Sequence, residues 1–151
     1  MSIRKITSLA LAGLMTAGVV AAFAQDAFVA PTTPEQAVEM RQAMMKSNGA
    51  TLRSAGELTG QPAVAAMQTL LDNYTNMPAV FPEGSNVGDS KALPAIWENW
   101  DAFTAIIETG RAAAESGLAA AESGDATAYG AALKTIGGTC GQCHQQFRAP
   151  S

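Results

Sequence analysis

The chain has 151 residues, 48% hydrophobic, 6% aromatic and 15% charged, with two cysteines and one histidine. Nine basic residues against thirteen acidic ones leave no basic face for nucleic acid, and the apolar fraction excludes a disordered tail. Two cysteines build neither a disulfide-dense scaffold nor a closed four-ligand zinc site, and one histidine excludes any site needing two imidazoles from one chain.

The first stretch reads as a secretory signal. Arg4 and Lys5 precede an uncharged apolar run from Leu9 to Ala24, which closes on Ala22-Phe23-Ala24, a small-x-small cleavage pattern. The run is 16 residues long, short of the roughly 20 that span a bilayer. Cleavage after Ala24 is expected, making residues 1–24 a signal peptide and 25–151 one domain. Arg4 and Lys5 leave with it, so seven basic residues face thirteen acidic ones, a net charge of −6. Later segments are too short to span, so the expectation is an exported protein of the bacterial periplasm with no membrane anchor.

The remainder is rich in Ala and poor in Val, Ile and Tyr, which favours helix over strand. Thr33-Pro34-Glu35-Gln36 forms a capping box with proline at the first helical position, and predicts a helix running to about Ala55. Its inward stripe holds Val38, Arg41, Met45, Asn48, Leu52 and Ala55. An arginine on a buried stripe needs a partner. A second helix is predicted from about Gln61 to Asn76, with Val64, Met67, Leu71 and Tyr74 on one face and Pro78 ending it.

Residues 78–93 follow, with Pro78, Pro82, Gly84 and Gly88 and no clear period; a connection of this length in a bundle is functional or mobile. A third helix starts near Pro94 and is expected to continue to about Ala121, with Ile96, Trp100, Phe103 and Ile107 inward and Trp97 beside them. The fourth follows Asp125 as N-cap and carries Tyr129, Leu133, Ile136, Cys140, Cys143, His144 and Phe147 at spacings of three and four. The predicted class is all-α: an antiparallel four-helix bundle with its chemistry near the C-terminus.

That chemistry lies in Cys140-Gly141-Gln142-Cys143-His144, a C-x-x-C-H attachment signature for c-type haem. Two thiols must add to two vinyl groups of one flat ring, and helix residues three apart project from the same side. The histidine directly after them can bind iron as proximal ligand. A redox dithiol would sit at a helix N-terminus, where the dipole lowers a thiol pKa; these cysteines fall in the last turns. Gly137 and Gly138 inside the same helix read either as room for the porphyrin or as a kink. With no second histidine, the sixth iron position is left to a methionine or to nothing. Five methionines follow the signal (Met40, Met44, Met45, Met67 and Met77), and Met45 on the inward stripe is the candidate.

These residues together resemble the class II c-type cytochromes, the cytochrome c′ family. The marks are the haem motif near the C-terminus, Arg41-Gln42-Ala43-Met44-Met45, Ile96-Trp97 after a long Pro/Gly connection, and Phe147-Arg148 after the motif. The resemblance implies one covalent haem c held by Cys140 and Cys143, with His144 on iron. It implies that Arg41 lies near a haem propionate, Arg148 near the proximal face and Met45 over the distal face. It further implies an electron carrier if Met45 ligates, as in the low-spin branch, or a five-coordinate protein that binds nitric oxide or carbon monoxide. Family members often pair as homodimers through their first two helices. The resemblance implies no enzyme; a peroxidase would want a distal polar donor, and no second histidine supplies one. The family's usual tyrosine before Arg148 is Phe147 here.

Overall fold

The computed structural model describes residues 27–150, so the signal peptide expected over 1–24 lies outside the described residues. Four long helices carry the fold: α1 (Pro34–Ala55), α2 (Gly60–Asn76), α4 (Trp100–Ser123) and α5 (Ala126–Phe147). A 3-10 turn at Met77–Val80 and a short helix α3 (Ala95–Glu98) lie between α2 and α4. Among the described residues the one extended pairing is a single antiparallel bridge between Ala92 and Arg148.

The predicted caps form. Thr33 Oγ1 accepts from the Gln36 backbone N–H at 3.2 Å. The reciprocal half of the box lands one residue earlier, with Thr32 N donating to Gln36 Oε1 at 2.9 Å. Asp125 accepts from Ala128 N at 2.9 Å to start α5. Gly124, at φ 75°, ends α4 in the left-handed conformation and donates to the carbonyls of Ala120 and Ala121, which satisfies acceptors the last turn would leave bare.

In the bundle, α4 packs along both α2 and α5, and α1 packs on α2 but touches α5 only sparingly. Glycine permits the close approach of α4. A Cβ at Gly117 would stand 2.7 Å from Met67 Sδ and 2.9 Å from Ala132 Cβ, and one at Gly110 would strike the Tyr74 ring. Met67, Leu70, Phe103 and Ile136 are fully buried between these helices. The Phe103 ring lies edge-on to Phe81 at 4.9 Å and to Phe147 at 5.4 Å, the favoured geometry for aromatic pairs.

Two expectations need correction. The third helix is not continuous: it breaks at Asn99 (φ −129°, ψ 49°), so α3 ends at Glu98 and α4 begins at Trp100. Asn99 Nδ2 donates to Ala95 O at 3.2 Å, the local bonding by which asparagine competes with a helix backbone. The break rotates the face, leaving Trp100 36% exposed while Ile96 and Phe103 stay buried. On α1, Met44 enters the core and Met45 is only half-buried, along with Leu52.

The sparse contact between α1 and α5 is unequal along their length. At one end the Tyr129 hydroxyl donates to Ala55 O at 3.0 Å and pins the two helices together. Toward the other end they part.

Candidate haem site

The parted end of α1 and α5 encloses a cavity of about 510 Å³. From α1 it is lined by Arg41, Gln42, Met45 and Lys46, and from α5 by Cys143, His144 and Phe147, with Arg148 just beyond. Phe81, Ile96 and Phe103 close its inner wall, and Ser90, Lys91 and Ala92 of the connection close one side. Five of the six residues chosen from the sequence therefore meet at one cavity. Cys140 is the exception, lying one turn earlier on α5 beside α2.

There the Tyr74 hydroxyl lies 2.7 Å from Thr139 Oγ1 and 3.7 Å from Cys140 Sγ. Thr139 Oγ1 also donates to Ile136 O at 2.7 Å, so its proton is committed and Tyr74 donates to it. Burial pushes the Tyr74 hydroxyl well above the usual phenol range, against the Thr139 hydrogen bond and together with Cys140. Tyr74 stays a neutral donor. Nothing in the spacing of Cys140 and Tyr74, 66 residues apart, announces this contact.

Both cysteines are unpaired and half-buried. Burial, and after it Cys140, push the Cys143 thiol up to about 11. A redox dithiol needs the opposite shift at its reactive thiol. His144 is exposed at one edge, yet partial burial, followed by the charge of Arg148, holds its pKa below the usual imidazole value. It is neutral near pH 7, the form that binds a metal. The donor set fits c-type haem: two thiols and an imidazole on α5, an apolar inner wall, and the half-buried Met45 on α1.

Arg41 finds partners for its buried charge within the chain. Nη1 donates to Ser85 Oγ at 2.9 Å and Val80 O at 3.4 Å; Nη2 donates to Ser85 O and to Ser90 Oγ, both at 2.7 Å. Its guanidinium also lies 5.0 Å over the Phe81 ring. The buried charge latches the connection between α2 and α3 onto α1, and Ser85 is fully buried beneath it. Burial lowers the Arg41 pKa, but an arginine remains charged at any ordinary pH. The connection is tied at its far end too: Leu93 N donates to Phe147 O at 3.0 Å and Ala149 N to Lys91 O at 2.8 Å.

Gly137 and Gly138 do not kink α5. The helix runs through them unbroken, both are exposed, and a Cβ at either would meet no protein atom within 4 Å.

The helical bundle and a C-x-x-C-H turn whose Cys143 and His144 line its cavity define a covalent c-type haem protein. The family model described as Cytochrome C' matches residues 36–148. The chain is 36% identical to a cytochrome c-556 of Agrobacterium fabrum, covering 98% of this chain and 97% of that protein. It is 32% identical to a cytochrome c' of Rhodospirillum rubrum, covering 90% and 97%. Among solved structures it is similar to a nitric oxide complex of a mutant cytochrome c prime from Alcaligenes xylosoxidans, at TM-score 0.69 and 25% identity, covering 80% of this chain and 99% of that one. The chain belongs to the cytochrome c′ family, whose members bind covalent haem c with iron.

Proposed function

We propose that the chain is a periplasmic electron carrier in which Cys140 and Cys143 hold one haem c, His144 is the proximal iron ligand and Met45 the distal one. A bound haem supplies reversible one-electron chemistry between ferric and ferrous iron. The observation that carries the Met45 assignment is its place on the cavity wall, on the helix facing His144. Met44, Met67 and Met77 are buried in the core instead, and Met40 packs against that core without lining the cavity.

The protein's part is positional. His144 offers a neutral nitrogen, and the apolar wall of Phe81, Ile96, Phe103 and Phe147 keeps water from the ring. Arg41 fixes the connection that forms one side of the site, and Arg148 places a cation beside His144. Methionine ligation raises the reduction potential relative to an imidazole pair. The role involves no substrate chemistry. Export to the periplasm follows from the signal pattern, and no described helix is long and apolar enough to cross a membrane.

A second reading leaves Met45 unbound over a five-coordinate iron that takes nitric oxide or carbon monoxide. It is favoured by the nitric oxide complex of the Alcaligenes xylosoxidans relative. Optical spectra of the ferric and ferrous protein separate the two. Low-spin bands that survive added carbon monoxide support the carrier; a high-spin spectrum that shifts on adding it supports the gas binder.

A further inference from the structure

Because α1 and α5 touch only sparingly, the ties between them decide the width of the cavity. Away from the cavity, the Tyr129 hydroxyl donates to Ala55 O. At the cavity end, both helices are held through four consecutive residues of the connection, 90–93. Ser90 Oγ accepts from Arg41 Nη2 at 2.7 Å, which ties it to α1. The next three residues bond the other way: Lys91 O accepts from Ala149 N at 2.8 Å, Ala92 pairs with Arg148, and Leu93 N donates to Phe147 O at 3.0 Å. The two sides meet on one atom, since Ser90 Oγ also accepts from Ala92 N at 3.1 Å. Ser90, Lys91 and Ala92 line the cavity themselves. Arg41 stands one helical turn before Met45, and Phe147 three residues after His144, so the tie joins the two helix turns that carry the proposed iron ligands.

From this arrangement we infer that Ser90 is a positioning residue for the distal side of the iron: its hydroxyl joins α1 to the end of α5 and so fixes how Met45 stands over iron held at His144. The inference deepens the proposed function and rests on Met45 lying over the iron, whether it bonds there or only packs. Ser85 does not duplicate the joint. It holds Arg41 through Oγ at 2.9 Å and through its carbonyl at 2.7 Å, but its own N–H donates to Pro82 O, within the connection. Gln42 of α1 also reaches the connection, at Asp89, through an exposed bond of 3.3 Å that holds weakly. Removing the Ser90 hydroxyl therefore leaves Arg41 partnered and residue 85 latched to α1, while the link onward to α5 slackens. Hydrogen bonds to a charged group are strong enough that losing one shifts a two-state equilibrium about tenfold.

The test follows carbon monoxide binding to the ferrous holoprotein in stopped flow. Carbon monoxide takes the iron position that Met45 covers, so its rate reads how readily Met45 stands aside. If Met45 is bound, its sulfur–iron bond breaks as the carbon–iron bond forms, and no electron is exchanged. Ser90→Ala should bind carbon monoxide about tenfold faster than the wild type, and a ferric sulfur-to-iron band, where the wild type has one, should weaken. Ser90→Thr keeps the hydroxyl and should return the wild-type rate. Tyr129→Phe cuts the other tie; it should lower Tm and leave the carbon monoxide rate unchanged.

A Ser90→Ala rate equal to that of the wild type overturns the proposal. So does an equal quickening in Tyr129→Phe, which would mean that general loosening governs access, and so does a Ser90→Thr protein as fast as Ser90→Ala. Failure of the Met45 reading would look different: Met45→Ala would then leave the rate at its wild-type value. If Met45→Ala quickens binding and Ser90→Ala does not, the joint alone falls.

Discussion

Replacing Arg41 by methionine keeps a long, flexible side chain on α1 but removes four donors from a buried site. The two bonds from Nη2, at 2.7 Å to Ser85 O and Ser90 Oγ, are short and charge-assisted; the Nη1 bond to Val80 O, at 3.4 Å, is weak. Hydrogen bonds to a charged group contribute about 1.5–3 kcal/mol each. Ser85, fully buried, would keep a carbonyl without a partner, while burying a thioether in place of a guanidinium recovers part of the desolvation cost. The net loss should be about 3 kcal/mol, within the range known for breaking buried charged networks. Urea denaturation of the holoprotein measures it, and hydrogen exchange at residues 81–93 shows whether the connection lifts. Arg41→Lys should recover less than half, because one ammonium cannot span the fork of acceptors. A loss below about 1 kcal/mol with exchange of the connection unchanged would refute the latch, since even one working hydrogen bond to the charged group contributes about 1.5–3 kcal/mol.

Gly117→Val should cost about 1–3 kcal/mol by overpacking, read as a lower Tm, because a Cβ there already meets Met67 and Ala132; an unchanged Tm would mean α4 can shift. Tyr74→Phe should cost about 1 kcal/mol in urea denaturation, and the loss should shrink in Thr139→Val, since the two hydroxyls are partners. The haem-free chain made by Cys140→Ala/Cys143→Ala should keep its far-ultraviolet helical signal, lose near-ultraviolet fine structure and bind a hydrophobic dye, because the cavity between α1 and α5 is left without its filling.

The local features were readable directly. Thr33 and Asp125 mark helix starts because caps are bonds within three residues, Pro34 because its fixed φ suits the first helical position, and the haem motif fits inside five. The helical stripes came out within a residue. What could not be read was anything set by residues far apart. Arg41 on a buried stripe announced a missing partner, but its acceptors lie 39 to 49 residues away in a segment with no period. Family resemblance suggested a propionate, and the protein supplies serines and carbonyls as well. Asn99 broke a helix whose hydrophobic spacing ran straight through it, because periodicity records which residues are apolar and not whether the backbone turns between them. The bridge from Ala92 to Arg148, which seats the connection against the end of α5, has no trace in either segment alone.

The most direct measurement is the optical spectrum of the ferric holoprotein, taken alongside that of Met45→Ala. If His144 and Met45 both bind iron, the wild type shows low-spin bands with a sulfur-to-iron charge-transfer band, and the variant loses that band and turns high-spin. A high-spin wild type, or a charge-transfer band that persists in Met45→Ala, would contradict the assignment.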